Sequence, residues 1–143
     1  MKFTFLTSDF YNDYPVKEYP QMELKNNRPY AHIVLNTYNN LFCIPLRSHI
    51  LHPHAYFTNK QKKCGVDYSK AIIIKDIRYI DTQTKVYLRK DEYKKLIGKD
   101  FIIGKQFEKY IELYKRAKID INLPHRNDIL QYSTLQYFEN DIL

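Results

Sequence analysis

The chain has 143 residues, of which 44% are hydrophobic and 27% are charged, and its formal net charge is +7. These values fit one globular domain over residues 1–143. No apolar run approaches the roughly 20 residues of a transmembrane helix, and no apolar N-terminal signal is present, so we expect a cytoplasmic protein without a membrane partner. Cys43 and Cys64 lack the short spacings of a zinc site, and neither a metal nor a cofactor is expected.

The positive charge is concentrated in residues 25–75, whereas the segments on either side are close to neutral. The basic residues of this segment are Lys25, Arg28, Arg47, Lys60, Lys62, Lys63, Lys70 and Lys75. Asp67 is its only acid. Scattered, solvated cations are the simpler alternative, but mutual repulsion among so many cations favours a polyanionic partner.

The first elements are short. Residues 2–6 alternate polar with apolar or aromatic side chains, which predicts a strand. Ser8 is predicted to cap a short helix that Pro15 ends, and residues 15–27 show no clear period and are predicted to form a loop.

A β-hairpin is the next prediction. Residues 30–38 and 41–46 are rich in β-branched and aromatic or apolar residues, and Asn39-Asn40 is predicted to be the turn between them. Pro45 indicates an edge strand or the end of a strand. Residues 47–70 lack a period and are predicted to form a long connection, of the kind that is usually functional or disordered.

The C-terminal part is predicted to be mostly helical, after strands at 71–75 and 85–88. A short helix opens on acids, closes on lysines and ends at Gly98. Ser133 is predicted to cap a last helix. A long helix reaches about residue 118, and its apolar stripe consists of Ile103, Phe107, Tyr110, Ile111 and Tyr114. Strands first and helices later indicate an α+β fold.

Chemistry-bearing side chains follow the predicted strand at once. Arg47, Ser48 and His49 are consecutive, and His52 and His54 lie just beyond them. Metal-independent RNA cleavage needs an acid, a base and positive charge on the phosphate oxygens. Histidine suits the proton transfers and arginine suits the phosphate. The sequence therefore predicts a catalytic site here, and the scarcity of carboxylates argues against a two-metal nuclease.

Several of these residues have structural alternatives. His52 and His54 flank Pro53 and also fit an exposed turn, while Ser48 also fits a cap at the strand exit. His32, within a strand, is predicted to be packed or hydrogen-bonded, and His125 to be isolated from the cluster. Two further sets are predicted to contact RNA: Tyr30 and Tyr56 by stacking on unpaired bases, and Lys60, Lys62 and Lys63 by contacting phosphates or merely by lying in solvent.

The chain resembles a known family at Pro45-Leu46-Arg47-Ser48-His49, with Asn27-Arg28-Pro29-Tyr30 before this motif and Gly65 to Ala71 after it. Further similar segments are Phe107 to Tyr110 and Gln131 to Leu135. The order and spacing are similar to the endoribonuclease toxins of type III toxin–antitoxin systems, in the TenpN/CptN branch related to ToxN and AbiQ.

The resemblance implies a compact, strongly twisted, mainly antiparallel sheet with surrounding helices, similar to the ToxN and Kid/MazF toxins. It implies metal-independent RNA cleavage that leaves a 2′,3′-cyclic phosphate, and inhibition by a small non-coding RNA antitoxin that folds as a pseudoknot. Toxin and antitoxin would form a closed hetero-oligomer, and the substrates would be cellular or phage RNA in a role in phage defence.

One position departs from the family pattern. Ser48 matches the family serine, and Arg47 stands where the family has a threonine. Two residues beyond that serine the ToxN-like proteins have a lysine, where this chain has Ile50. We therefore expect one of the cluster's histidines, with Arg47, to supply the missing chemistry, and His49 is the first choice as acid or base, followed by His54.

Arg28 and Lys25, with the lysines at 60, 62, 63 and 70, are expected to hold the RNA backbone. Two other classes stay open. A non-catalytic RNA-binding module would bind RNA and leave it intact, and an enzyme acting on a phosphorylated metabolite would bind with a weak dependence on salt.

Overall fold

The fold is α+β, and the computed structural model describes residues 1–23 and 29–143. Within these residues a six-stranded antiparallel sheet is accompanied by five α-helices. The strands are β1 (Phe3–Thr4), β2 (His32–Thr37), β3 (Asn40–Arg47), β4 (Ala55–Asn59), β5 (Cys64–Asp67) and β6 (Ile72–Ile73). The helices are α1 (Ser8–Asp13), α2 (Lys90–Leu96), α3 (Asp100–Ile119), α4 (Arg126–Tyr132) and α5 (Glu139–Ile142). None of these helices has the length and apolarity needed to span a bilayer.

The predicted hairpin is confirmed as β2 and β3, with its turn one residue earlier than expected. Tyr38 and Asn39 occupy the turn with φ angles of 52° and 56°, as a type I′ turn requires. Asn40 instead begins β3, and its side-chain amide donates to the carbonyl oxygen of Tyr38 at 2.7 Å. This side-chain bond closes the turn from within the strand, which residue preferences alone did not indicate.

Strand β3 is central rather than at an edge, and Pro45 lies near its end. β3 pairs with β2 on one side and with β6 and then β5 on the other. The Leu46 N–H donates to Ala31 O, so the imino nitrogen of Pro45 faces the opposite side. There it falls between the Cys43–Ile72 and Leu46–Val66 pairs, and no ladder bond is lost.

The prediction of a long irregular connection over residues 47–70 is wrong, because β4 and β5 form a second hairpin there. Both strands are short, and the ladder shifts register between Phe57 and Asn59, so no clean alternation marks them in the sequence. Gly65 pairs with both Phe57 and Arg47, which places β5 between β4 and the end of β3. The predicted strand at 85–88 is also absent from the described structure.

The long helix is confirmed, whereas the predicted caps of two shorter helices are not placed as expected. Helix α3 buries the predicted apolar stripe and Ala117 as well. Helix α1 is capped by Thr7, not Ser8, and without a side-chain bond. Ser133 does cap, but it accepts the Leu135 N–H at 3.2 Å to begin a 3₁₀ turn, Thr134–Tyr137. Helix α4 was not predicted, because it offers only one buried residue, Ile129.

The core lies between the sheet and α3. Phe107 of α3 meets Phe42 of β3 edge to face, with ring centroids 4.9 Å apart, and both are fully buried. His32 is also fully buried, and its Nδ1 bonds to the carbonyl oxygen of Tyr30 at 2.8 Å, which confirms a packed, hydrogen-bonded histidine. Cys43 and Cys64 are buried and free.

Candidate active site

A cavity of about 880 Å³ opens where β3 ends. One wall comes from the segment after β3 and from the end of β5, and it carries Arg47, His49, His52, His54, Asp67 and Lys70. The opposite wall comes from α3, α4 and their connection, and it is largely apolar through Leu113, Leu123, Pro124, Ile129 and Tyr132. A volume of this size suits a nucleotide or a short stretch of single-stranded nucleic acid.

The segment after β3 is held in a fixed path by backbone bonds. Ile50 is buried, and its N–H donates to Lys63 O at 3.0 Å. This bond ties the segment to the end of the β4–β5 turn. His49 takes a left-handed backbone with φ of 57°, which turns the chain into the cavity. Ile50 is therefore a buried residue that lines the cavity and fixes the segment after β3.

Asp67 is the buried carboxylate that organises the polar wall. It is 1% exposed, and its Oδ2 accepts from Arg47 Nη1 at 3.1 Å. Its Oδ1 accepts from the backbone N–H and the hydroxyl of Ser69, at 3.0 and 2.6 Å, and lies 3.1 Å from His52 Nε2. Burial alone would raise the pKa of Asp67, but the His52, Ser69 and Arg47 contacts lower it overall.

His52 is committed at both ring nitrogens. Its Nδ1 accepts the backbone N–H of His54 at 3.0 Å, so the proton of the neutral ring sits on Nε2. Nε2 lies 3.1 Å from both Asp67 Oδ1 and Ser69 Oγ. Because proton transfer through Nδ1 would break the bond to His54, the geometry assigns His52 a positioning role.

His54 presents the imidazole best suited to accept a proton. Its ring lies 5.6 Å from that of His52 and 5.3 Å from that of Tyr110, centroid to centroid. Among the described residues, no side-chain or backbone group hydrogen-bonds to either nitrogen of the His54 ring. Burial, followed by the neighbouring His52, lowers the pKa of His54, with Asp67 opposing and His125 adding to the shift. His54 is therefore neutral near pH 7 and has free nitrogens.

His49 and Ser48 are both exposed, and of the two only His49 lines the cavity. Ser48 Oγ lies 3.1 Å from His49 Nδ1. Since only one ring nitrogen is engaged, the other is available to a ligand. The predicted strand-exit group is thus split: Arg47 bonds to Asp67 inside the cavity, His49 lines the cavity from an exposed position, and Ser48 lies outside the lining beside His49.

His125 was predicted to be isolated, and this prediction is wrong. It lines the same cavity as His49, His52 and His54, because the α3–α4 connection brings it there from a distant part of the chain. Its backbone is left-handed, with φ of 60°. Three of the six non-glycine residues with positive φ among the described residues line this cavity: Glu23, His49 and His125. Such conformations concentrate at functional sites.

Two cations lie within the polar wall beside an unforeseen carboxylate, that of Glu23. Arg47 Nη2 donates to Glu23 Oε2 at 2.8 Å. Lys70 is 5% exposed, and its ammonium donates to the carbonyl oxygens of Gln21 and Tyr132 at 2.7 and 3.0 Å. Burial lowers the pKa of Lys70, although Glu23 and Asp67 oppose the shift. Burial alone would lower the pKa of Arg47 too, but the same two carboxylates raise it.

The remaining predicted RNA contacts are placed unevenly. Lys60, Lys62 and Lys63 are exposed on the β4–β5 turn. Tyr30 lies against Arg47, with 5.6 Å between its ring centroid and the guanidinium carbon. Tyr56 lies outside the cavity lining, and its hydroxyl donates to Lys95 O at 3.0 Å. Lys25 and Arg28 lie outside the described residues.

Sequence reasoning missed Asp67, Glu23 and His125. Asp67 had one signal, since it is the lone acid in a basic segment, and a buried cation needs a buried partner. Glu23 and His125 had none, because nothing local connects them to β3. Within residues 1–23 and 29–143, no group of three or more His, Cys, Asp and Glu side chains is placed to hold a metal ion.

Comparisons with protein-family models, with curated proteins and with solved structures find no match for this chain. The grounds for a functional proposal are therefore the geometry of the cavity and the resemblance of the motifs.

Proposed function

We propose that this protein is a metal-independent endoribonuclease whose active site is the cavity at the end of β3. The observation that carries the proposal is the pair of unlike imidazoles in one cavity with Arg47. His54 is half-buried with free nitrogens and a lowered pKa, and His49 is exposed at the rim. Environments that differ in this way separate a base from an acid.

The proposed reaction gives each imidazole one proton transfer. His54 takes the proton of a ribose 2′-hydroxyl, and the 2′-oxygen attacks the adjacent phosphorus. The bond from phosphorus to the 5′-oxygen breaks, and that oxygen takes a proton from the His49 imidazolium. The products are a 2′,3′-cyclic phosphate and a free 5′-hydroxyl, and the exchange is balanced without a metal.

Positive charge and apolar surface complete the site. Arg47 neutralises the charge that develops on the phosphate oxygens, and Ser48 orients the scissile group. An unpaired base packs against the apolar wall, where Tyr132 and Leu123 lie. Stacking of this kind is the usual way in which proteins hold single-stranded RNA.

The biological setting we propose rests on the motif resemblance. The protein would be the toxin of a type III toxin–antitoxin system in the cytoplasm, inhibited by a small pseudoknot RNA within a closed hetero-oligomer, and active against cellular or phage RNA. A short tandem repeat just upstream of the coding sequence is expected in that case. Co-expression of the repeat RNA should restore growth, and growth that is unaffected by the protein alone would contradict the toxin role.

The decisive experiment compares wild type with His54→Ala and His49→Ala on single-stranded RNA in EDTA. We expect each variant to cleave about 100-fold more slowly or worse, since acid–base residues contribute that much. Thermal unfolding of both variants controls for folding. A 2′,3′-cyclic phosphate end identifies the chemistry. Undiminished cleavage by His49→Ala would remove His49 from the site, and the same result for His54→Ala would remove the proposed base.

A non-catalytic RNA-binding module is the second candidate, and the exposed turn with Lys60, Lys62 and Lys63 favours it. These lysines contact solvent rather than the cavity lining, and they suit a phosphate backbone without any chemistry. Such a protein would bind RNA in EDTA, lose affinity steeply as salt rises, and leave every phosphodiester intact.

A further inference from the structure

We propose that Glu23 occupies a phosphate-binding site formed by Arg47 and Lys70, and that RNA must displace this carboxylate to bind. The site would take one phosphate group between the two cations. Glu23 thereby limits the affinity of the free protein for phosphate. The inference rests on the proposed function in one respect, namely that the phosphate is one of RNA.

The two cations converge on the Glu23 carboxylate from different elements. Arg47, at the end of β3, donates from Nη2 to Oε2 at 2.8 Å. Lys70, in the turn after β5, places Nζ 3.8 Å from Oε1. All three residues line the cavity. A phosphate group offers the same negatively charged oxygens to the same two donors.

Both donors are held by contacts that do not involve Glu23. Lys70 gives two of its three N–H groups to the carbonyl oxygens of Gln21 and Tyr132, so the third is left for an anion. Arg47 Nη1 is bound to the buried Asp67, and Arg47 Nη2 is likewise left to donate to an anion. An anion site with fixed donors needs no reorganisation when its occupant changes.

The two carboxylates on Arg47 differ in how firmly they are held. The Asp67 side chain is 1% exposed and has further bonds to Ser69. The Glu23 side chain is 50% exposed, and its backbone is left-handed with φ of 51°, a conformation that is costly for glutamate. Glu23 is therefore the partner that can leave, while Asp67 keeps Arg47 in place.

Charge favours an exchange of Glu23 for phosphate. Arg47 and Lys70 face Asp67 and Glu23, so the group of four is neutral while Glu23 is bound. Once Glu23 swings into solvent, one positive charge is uncompensated inside a partly dry cavity, where attraction for an anion is strong. A phosphodiester, with one negative charge, restores neutrality.

The test is Glu23→Gln, which keeps the shape of the side chain and removes its charge. Glu18→Gln is the matched control, because Glu18 is an exposed acid outside the cavity lining and the change in net charge is the same. Each protein is titrated calorimetrically with inorganic phosphate, and with an RNA oligonucleotide whose 2′-hydroxyls are methylated so that it is not cleaved. Thermal unfolding is recorded for both variants.

We expect Glu23→Gln to bind phosphate and the oligonucleotide about fivefold more tightly than wild type, the amount expected for a half-exposed ion pair. Glu18→Gln should change phosphate binding less than twofold. Glu23→Asp, with a shorter side chain, should fall between wild type and Glu23→Gln.

Equal affinities in Glu23→Gln and Glu18→Gln would overturn the proposal, and so would weaker binding by Glu23→Gln, because Glu23 would then be a structural brace. Tighter oligonucleotide binding without tighter phosphate binding would also overturn it, since the gain would lie elsewhere on the RNA. Failure of the endoribonuclease proposal is separate: it would appear as intact RNA with wild type, whatever Glu23→Gln binds.

Discussion

At the scale of single residues, the polar wall of the cavity is organised by the buried carboxylate of Asp67, which contacts Arg47 and His52. Asp67 binds the guanidinium of Arg47 and lies against the imidazole of His52. His52 in turn accepts the backbone N–H of His54. His54 is therefore held in place through a series of contacts: Asp67 lies against His52, and His52 accepts the backbone N–H of His54.

Replacing Asp67 by Asn should lower the free energy of unfolding by about 3 kcal/mol, because it removes the buried one of the two carboxylates that pair with the Arg47 guanidinium and leaves only the half-exposed Glu23. Cleavage should fall as well, since His52 and Arg47 lose their support. Asp91→Asn, an exposed acid at the start of α2, is the matched control and should change the stability far less. Denaturant unfolding measures both variants, and equal stability of the two would contradict the role of Asp67.

The pH dependence of cleavage should report His54. A base acts only when unprotonated, so kcat/KM should rise with pH through the pKa of His54 in the free protein. Since burial and His52 lower that pKa from its ordinary value of 6.5, the acid limb should lie below pH 6.5. His125→Gln removes a neighbouring group that lowers the pKa of His54, and should move the limb upward. A limb centred above pH 7 would exclude His54 as the base.

At the scale of elements, the β4–β5 hairpin is the part of the fold that supports the polar wall. Strand β5 pairs with the end of β3 through Leu46–Val66 and Arg47–Gly65, and it delivers Asp67 to the cavity at its own end. The hairpin thus fixes both partners of the Arg47–Asp67 pair. The sequence does not predict this hairpin, because its strands are short, its register shifts and its turn is basic, so that no regular alternation of apolar and polar residues appears.

Gly65→Ala should separate this hairpin. A Cβ at Gly65 would lie 2.1 Å from Tyr56 O and 2.8 Å from Phe57 Cα, and both are backbone atoms that cannot move without breaking the ladder. We expect a loss of about 3 kcal/mol, at the upper end for overpacking. Gly104→Ala in α3 is the control, with its nearest neighbour, Leu35 Cδ1, at 3.7 Å, and it should stabilise the protein by up to about 1 kcal/mol. Similar melting temperatures would contradict the close approach of β4 and β5.

At the scale of the whole molecule, the buried polar groups couple the stability of the fold to pH. His32 is fully buried, and its pKa is lowered to about 4. Burial lowers this pKa, and the hydrogen bond to Tyr30 O offsets only part of the effect. His54 is shifted in the same direction. Asp67, whose pKa is lowered, contributes stability above its unfolded pKa near 3.9, and that contribution is lost as the pH falls further.

Stability should therefore fall on mild acidification. The unfolded chain takes up a proton on His32 near pH 6.5, whereas the folded chain does so only near pH 4, so a falling pH favours unfolding between these values. Between pH 7.5 and 5 we expect His32 to account for a loss of about 2 kcal/mol. Denaturant unfolding at both pH values measures it, and His32→Gln should show a smaller difference. An unchanged difference in that variant would contradict the assignment.

The sequence by itself determined the periodic elements and the position of Arg47, Ser48 and His49 at and just beyond the end of β3. Local periodicity predicts the apolar stripe of α3, the β2–β3 hairpin and the α+β class. This periodicity arises because each helix or strand buries one face, so that apolar residues recur at fixed spacings along the chain. The placement of Arg47 just beyond a strand follows from the same local reading. These features depend on residues close together in the chain.

Only the tertiary structure decided which groups share the cavity. Glu23, Asp67 and His125 meet Arg47 and His54 because the strand order and the α3–α4 connection bring distant segments together. Such contacts leave no period in the sequence, since each depends on how the chain closes around the core rather than on which face of an element is buried. A polyanionic partner stays a prediction from the charge excess of residues 25–75, whereas the placement of Arg47 and Lys70 in one cavity with His49 and His54 comes from the fold alone.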